Sequence, residues 1–184
     1  IARTYQTSQL FGSLSVLDNV VLAMARGRLG PLLGLSRLQA APLRRRARDL
    51  LAWCGYLGSP TARADSLPHV DRRLVEIARA LALDPDALLL DEPAAGLSSE
   101  DKTRLAGLLR RIAASGIAVL LVEHDMPLVM GISDRVVVLD AGQRLAVGTP
   151  AQVQADPAVR QAYLGESAAG GAAGSAEGGS EAAA

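Results

Sequence analysis

ALLLDEPAAG, residues 87–96, runs four apolar residues into two adjacent carboxylates and a proline. Ala87 to Leu90 show no polar alternation, the pattern of a strand covered on both faces, and Pro93 stops it. In an open α/β sheet, ligands bind beyond the carboxyl ends of the strands, so Asp91 and Glu92 are the first residues to test for chemistry. A carboxylate fixed there can hold Mg²⁺, and its neighbour can polarise a water that attacks a phosphate. Adjacent strand residues point to opposite sides, so the turn after Leu90 has to reorient one of the pair. Two acids that merely open a loop would look the same locally; the apolar run before them and the sequence after them argue otherwise.

Working outward, a second end of the same kind follows IAVLLVE, residues 117–123, where Glu123 is followed by His124 and Asp125. His124 is one of two histidines. At a strand end its neutral ring could bond a phosphate oxygen or orient water, against the plainer reading of a satisfied structural imidazole. Between the two strands, Ser98 is a candidate N-cap with Asp101 three residues on. Leu105, Leu108, Leu109 and Ile112 share one helical face, and Gly116 ends it, giving a β-α-β crossover. A helix is expected over about 71–83, from Leu74, Ile77, Ala78 and Leu81. RVVVLD (135–140) and RLAVG (144–148) flank DAGQ and read as an antiparallel hairpin, with Gly142 free to take a positive φ. Residues 27–36 are expected to form a loop or lid. The tail from Gly165, all Gly, Ala, Ser and Glu, is expected to be disordered.

The fold class is therefore α/β, a parallel sheet flanked by helices with a C-terminal hairpin. A chain of 184 residues with 49% hydrophobic content can bury the core of one domain. Lys+Arg 19 against Asp+Glu 19, with 3% aromatics, leaves a nucleic-acid surface unsupported. LRRRAR, residues 43–48, shares its segment with Leu43, Ala47, Leu50, Leu51 and Cys54 at helical spacing and reads as a solvated helix face, not a phosphate or lipid patch. Cys54 is the single cysteine. It can form no disulfide within the chain, and a reducing compartment fits. No apolar run is long enough to span a membrane, and no signal peptide is expected. The sequence opens at Ile1 without an initiator methionine and is expected to be a piece of a longer protein.

LVEIARALALDPDALLLDEPAAGL (74–97), followed after a helix by AVLLVEHD (118–125), resembles the second half of an ABC-type ATPase, the P-loop NTPase-like nucleotide-binding subunit of membrane transporters. The resemblance covers residues 1–164, incomplete at the N-terminus: about 13–84 would be the helical subdomain with the signature helix, and 85–164 the catalytic core and C-terminal part. IARTYQTSQLFGSLSVLDNV (1–20) is similar to the segment around that family's Q-loop. LVEHDMPLVMGISDRVVVLDAGQRLAVGTPAQVQADPAVRQAYLG (121–165) is similar to branched-chain amino-acid importers. The resemblance implies ATP and Mg²⁺ as ligands, with Asp91 and Gln6 at the metal, Glu92 as general base, His124 at the γ-phosphate and Gln6 also near the attacking water. It implies that Gly96 and Ser98, in the loop over 95–98, cross a dimer interface. It implies a second ATPase subunit, transmembrane permease subunits contacted by the segment after Gln6, a periplasmic solute-binding protein acting indirectly, and a peripheral place on the cytoplasmic face of the cell membrane.

Three features depart from the family pattern. No GxxxxGK[ST] phosphate loop occurs in the sequence, whose single lysine, Lys102, lies after the acidic strand. An N-terminal half lying upstream is the simplest account; a naturally truncated or inactive protein is the other. The LSGGQ-like stretch, which in the family binds ATP held by the partner, is here Leu67-Pro68-His69-Val70-Asp71. Pro68 has no N–H or hydroxyl, Val70 stands where a glycine would admit phosphate, and Asp71, a candidate helix cap, adds negative charge. His69 could restore some donor capacity. Finally, Ser98 stands where many relatives have an acid. Two rival readings follow: a non-catalytic regulatory partner in a heterodimer, and a soluble ABC ATPase outside transport.

Overall fold

A computed structural model describes residues 1–4, 10–24 and 37–162. The expected lid over 27–36, the tail from Gly165 and Gln6 lie outside the described residues. The chain forms two compact units, Ile1–Leu128 and Val129–Ala184.

In the first unit, β1 (Ala2–Arg3), β2 (Ala87–Asp91) and β3 (Ala118–Val122) form a parallel sheet in that order. The register pairs Ala2 with Leu88 and runs from Ala87–Ala118 to Asp91–Val122. β2 occupies the residues expected of it, with Leu88 and Leu90 at 0% and 1% exposure. The expectation that both faces of the second strand are covered is corrected for β3: Leu120 and Val122 are 59% and 55% exposed. Among the described residues β3 pairs only with β2, and α4 (Ser99–Ala114) packs against it, while Leu120 and Val122 stay open to solvent.

The β2–α4–β3 crossover follows the expected signals. Ser98 Oγ accepts the Asp101 N–H at 3.1 Å as N-cap. Leu105, Leu108, Leu109 and Ile112 are buried, and the chain leaves α4 through Gly116 at φ +92°.

Three helices pack on one another, α1 (Val16–Met24), α2 (Arg37–Trp53) and α3 (His69–Leu81), and α3 also meets the sheet at β1. Ser15 Oγ accepts the Asp18 N–H at 3.0 Å and starts α1. Asn19, fully buried, exchanges hydrogen bonds with the Phe11 backbone and fixes the approach to that helix. α2 buries Ala47 and Leu51, and Cys54 just beyond its end is also buried. Burial pushes the Cys54 thiol up to about 12, so it is protonated and unreactive at neutral pH. The basic run is a clamp as well as a wet surface. Arg44 Nη2 lies 2.7 Å from Asp18 Oδ1 on α1, and Arg46 pairs with Asp84 beyond α3. Such partly exposed pairs are each worth about 0–1 kcal/mol.

α3 buries Leu74, Ile77, Ala78 and Leu81, the residues that predicted it. It begins at His69, two residues earlier than expected, with Pro68 in the N-cap position and no side-chain cap. Asp71 is therefore not the cap. Pro68 has the fixed φ that suits a helix entrance, so the first turn starts there and Asp71 falls within it.

The second unit holds the hairpin of β4 (Val136–Asp140) and β5 (Gln143–Gly148), antiparallel as expected. Ala141 and Gly142 both take positive φ, +45° and +78°, the backbone of a two-residue hairpin turn. α6 (Pro150–Ala155) follows with a capping box between Thr149 and Gln152. β1, α1, α6 and α5 (Met126–Ile132), which follows β3, go beyond the elements expected from the sequence.

Candidate functional site

β2 and β3 end side by side, and the two acidic ends emerge together. The Glu92 N–H donates to Val122 O at 2.9 Å, continuing the ladder one residue past the strand. At that point the backbone turns over. Glu92 takes φ +43°, the left-handed region that a side chain enters at a cost of about 1–2 kcal/mol. This is the reorientation that the adjacent carboxylates required. Asp91 stays in the pleat, where its Oδ2 lies 3.1 Å from Arg3 Nη2 of β1. Glu92 swings across to β3, where its Oε1 lies 3.7 Å from His124 Nδ1. His124 is 76% exposed and Glu92 31%, so both groups reach solvent.

The residues flanking His124 hold its backbone. Glu123 Oε1 accepts the Ala94 N–H at 2.7 Å, and its Oε2 accepts the His124 N–H at 3.2 Å. Asp125 Oδ1 accepts the Leu128 N–H at 3.0 Å in the first turn of α5, and its Oδ2 lies 2.6 Å from Lys102 Nζ on α4. The Lys102 hydrogen bond first, and then the Leu128 N–H, hold the Asp125 carboxyl below its ordinary value. Lys102, read in the sequence only as a lysine out of place, thus ties the helix that follows residues 95–98 to the segment carrying His124. Neither that pair nor Arg3 on Asp91 was read from the sequence, because each joins residues remote in the chain: a charged side chain at the edge of a buried strand is the one local hint.

The remaining predicted residues form a second group. Leu67 is buried, Pro68 and His69 are exposed, and Val70 and Asp71 are partly so. The His69 ring approaches residues 95–98: a Cβ built on Gly96 would lie 3.8 Å from His69 Cε1. Gly96 takes φ +73° and Ser98 caps α4. The structure therefore brings Glu92 to His124 and His69 to Gly96, leaves Asp91 on Arg3, and leaves Gln6 undescribed. A concavity between β1 and α3, lined by Arg3, Thr4, Glu76, Arg79, Ala80 and Leu83, includes none of Asp91, Glu92 or His124.

For Mg²⁺ the donor set is compatible but sparse. Among the described residues no three His, Cys, Asp or Glu side chains gather as a metal cluster. An ion here would be held by Asp91 together with phosphate and water oxygens, the usual arrangement for magnesium at a nucleotide. Among the described residues no helix is long and apolar enough to cross a membrane.

The family described as branched-chain amino acid ATP-binding cassette transporter matches residues 143–169. The high-affinity branched-chain amino acid transport ATP-binding protein LivG of Escherichia coli is 39% identical over 174 residues, covering 90% of this chain and 68% of LivG. BraF of Pseudomonas aeruginosa, described in the same words, is 36% identical over 175 residues at the same coverage. Among solved structures, an ATP-binding cassette of an ABC transporter in its ADP conformation superposes with a TM-score of 0.73 at 27% identity, over 89% of this chain and 68% of that one. At this identity and coverage, the chain belongs to the ATP-binding cassette family of branched-chain amino-acid transporters.

Proposed function

We propose that this chain is the ATP-hydrolysing subunit of a bacterial importer for branched-chain amino acids. The observation that carries the reading is Glu92 Oε1 standing 3.7 Å from His124 Nδ1 at the ends of two adjacent parallel strands. Glu92 accepts a proton from the water whose oxygen bonds to the γ-phosphorus as the bond to the ADP oxygen breaks. His124 donates a hydrogen bond to a γ-phosphate oxygen and steadies its charge. Asp91, with Gln6, would hold Mg²⁺, which when bound neutralises phosphate charge. Two such subunits close over ATP, with residues 67–71 of one facing nucleotide held by the other. Nucleotide binds the closed pair better than the open one, and that difference drives the membrane subunits.

The composite site that uses residues 67–71 is the weaker of the pair. The first turn of α3 offers backbone N–H groups, but Pro68 brings no donor and Asp71 sets a negative charge among them. Changing Pro68→Ser, His69→Gly, Val70→Gly and Asp71→Gln together in the assembled transporter raises ATP turnover by about tenfold, the worth of one charge-assisted hydrogen bond. An unchanged rate would count against the weak site. The same segment is what favours a regulatory partner as the second reading, and the retained Glu92 and His124 weigh against it.

The transport role separates from a soluble ATPase through the segment after Gln6. Phe11 is 52% exposed there. A Phe11→Cys variant is expected to cross-link to a membrane subunit, with buried Cys54 too inert to compete. Cross-linking to no membrane protein in the intact complex would remove the transport reading. The importer would carry this subunit peripherally at the cytoplasmic membrane face, with the solute-binding protein reached only through the permease.

A further inference from the structure

We propose that Glu123 is a positioning residue that sets the distance between Glu92 and His124, an inference that rests on the ATPase reading above. It is the first residue past β3, and its carboxylate spans the backbones of both acidic ends. One oxygen accepts the Ala94 N–H at 2.7 Å and the other accepts the His124 N–H at 3.2 Å.

The Ala94 contact matters because of what precedes it. Glu92 holds a left-handed backbone, and Pro93 after it has no N–H to donate. Ala94 is 1% exposed, so its N–H would be buried without water if no acceptor reached it. Glu123 supplies that acceptor as a full charge, which makes the bond shorter and about twice as strong as a neutral one. Two contacts from β3 and its end thus bracket the strained residue: Val122 O holds the Glu92 N–H at 2.9 Å, and Glu123 holds the residue two positions on. Strained backbone persists where its surroundings over-determine it. Because the second oxygen binds the His124 N–H, the group that fixes the turn carrying the base also fixes where the imidazole begins.

A carboxylate this close to a polyanion's site works against phosphate binding. A neutral amide, with one oxygen, could serve only one of the two N–H groups. The charge is explained if holding the turn rigid gains more for the reaction than the added repulsion costs, since misplacement of a reacting group by about 1 Å can cost 10²-fold in rate.

The test compares Glu123→Ala and Glu123→Gln in the assembled transporter, reading kcat and KM for MgATP. The alanine variant is expected to lose about 10- to 100-fold in kcat with KM little changed. The glutamine variant keeps an oxygen for the Ala94 N–H but turns its amide NH2, a donor, toward the His124 N–H, and is expected to lose about three- to tenfold, less than alanine. In a Glu92→Gln background, Glu123→Ala is expected to add much less than its full loss, because most of it acts through Glu92 and the remainder through His124. Amide exchange at Ala94 should accelerate in the alanine variant and not in the glutamine one. An alanine variant with wild-type kcat would overturn the inference, as would equal damage from alanine and glutamine or a full additional loss on Glu92→Gln. If Glu92→Gln itself leaves turnover intact, the ATPase reading of Glu92 fails first and this inference falls with it.

Discussion

Glu92→Gln in the assembled transporter is expected to reduce ATP turnover by about 10²–10⁴-fold while leaving nucleotide binding in place, the range associated with loss of a positioned general base. The substitution keeps the shape of the side chain and its reach toward His124, so the structure has no reason to collapse. It removes the carboxylate that takes the proton from water. The measurement is steady-state phosphate release beside ATP binding by equilibrium titration. Turnover within a few-fold of wild type would mean that the strand-end acid is not the base, and the regulatory-partner reading would then take precedence. Glu92 also carries strained backbone, at φ +43°, and glutamine tolerates that region no better than glutamate. Stability should therefore be unchanged, which separates a catalytic loss from a folding one.

The second large effect belongs to stability. Arg73 Nη1 lies 3.0 Å from Glu76 Oε2 inside α3, with side-chain exposures of 8% and 5%. Burial pulls the Arg79 guanidinium below its ordinary value, and the charge of Glu76 works to restore it, so Glu76 faces two cations. Replacing Glu76 with Ala removes one partner of this buried ion pair and is expected to cost about 3–5 kcal/mol, read as a shift of the urea unfolding midpoint. Replacing Arg73 and Glu76 together with Met and Leu should recover most of that loss, because two well-packed apolar side chains avoid the desolvation penalty that the ion pair bears. If the single and double variants unfold alike, packing of α3 rather than charge accounts for the loss.

Much of the architecture was legible because its signals are local. The apolar run 87–90, the Ser98 cap, the 3.6-residue spacing of Leu105 to Ile112 and the positive φ available at Gly142 each report a nearby constraint, and the corresponding elements formed where expected. Asp71 misled because proline at the entrance and a polar residue three positions on both signal a helix start, and the fixed φ of Pro68 prevailed. β3 misled because an uninterrupted apolar strand is consistent with two covered faces, whereas the exposure of Leu120 depends on which elements are present to pack on it. Within the candidate site the types and positions of Glu92 and His124 could be read, but not their supports. Glu123 reaching Ala94 spans 29 residues and Lys102 reaching Asp125 spans 23, and no periodicity encodes such pairs.

The left-handed backbone at position 92 also says what selection for robustness would do here. Glycine suits that conformation better than any acidic residue, and asparagine tolerates it more readily. A library ranked only by heat resistance would drift toward those residues at 92, gaining an easier turn while discarding the carboxylate. Screening for durable variants of this subunit therefore has to score turnover alongside melting.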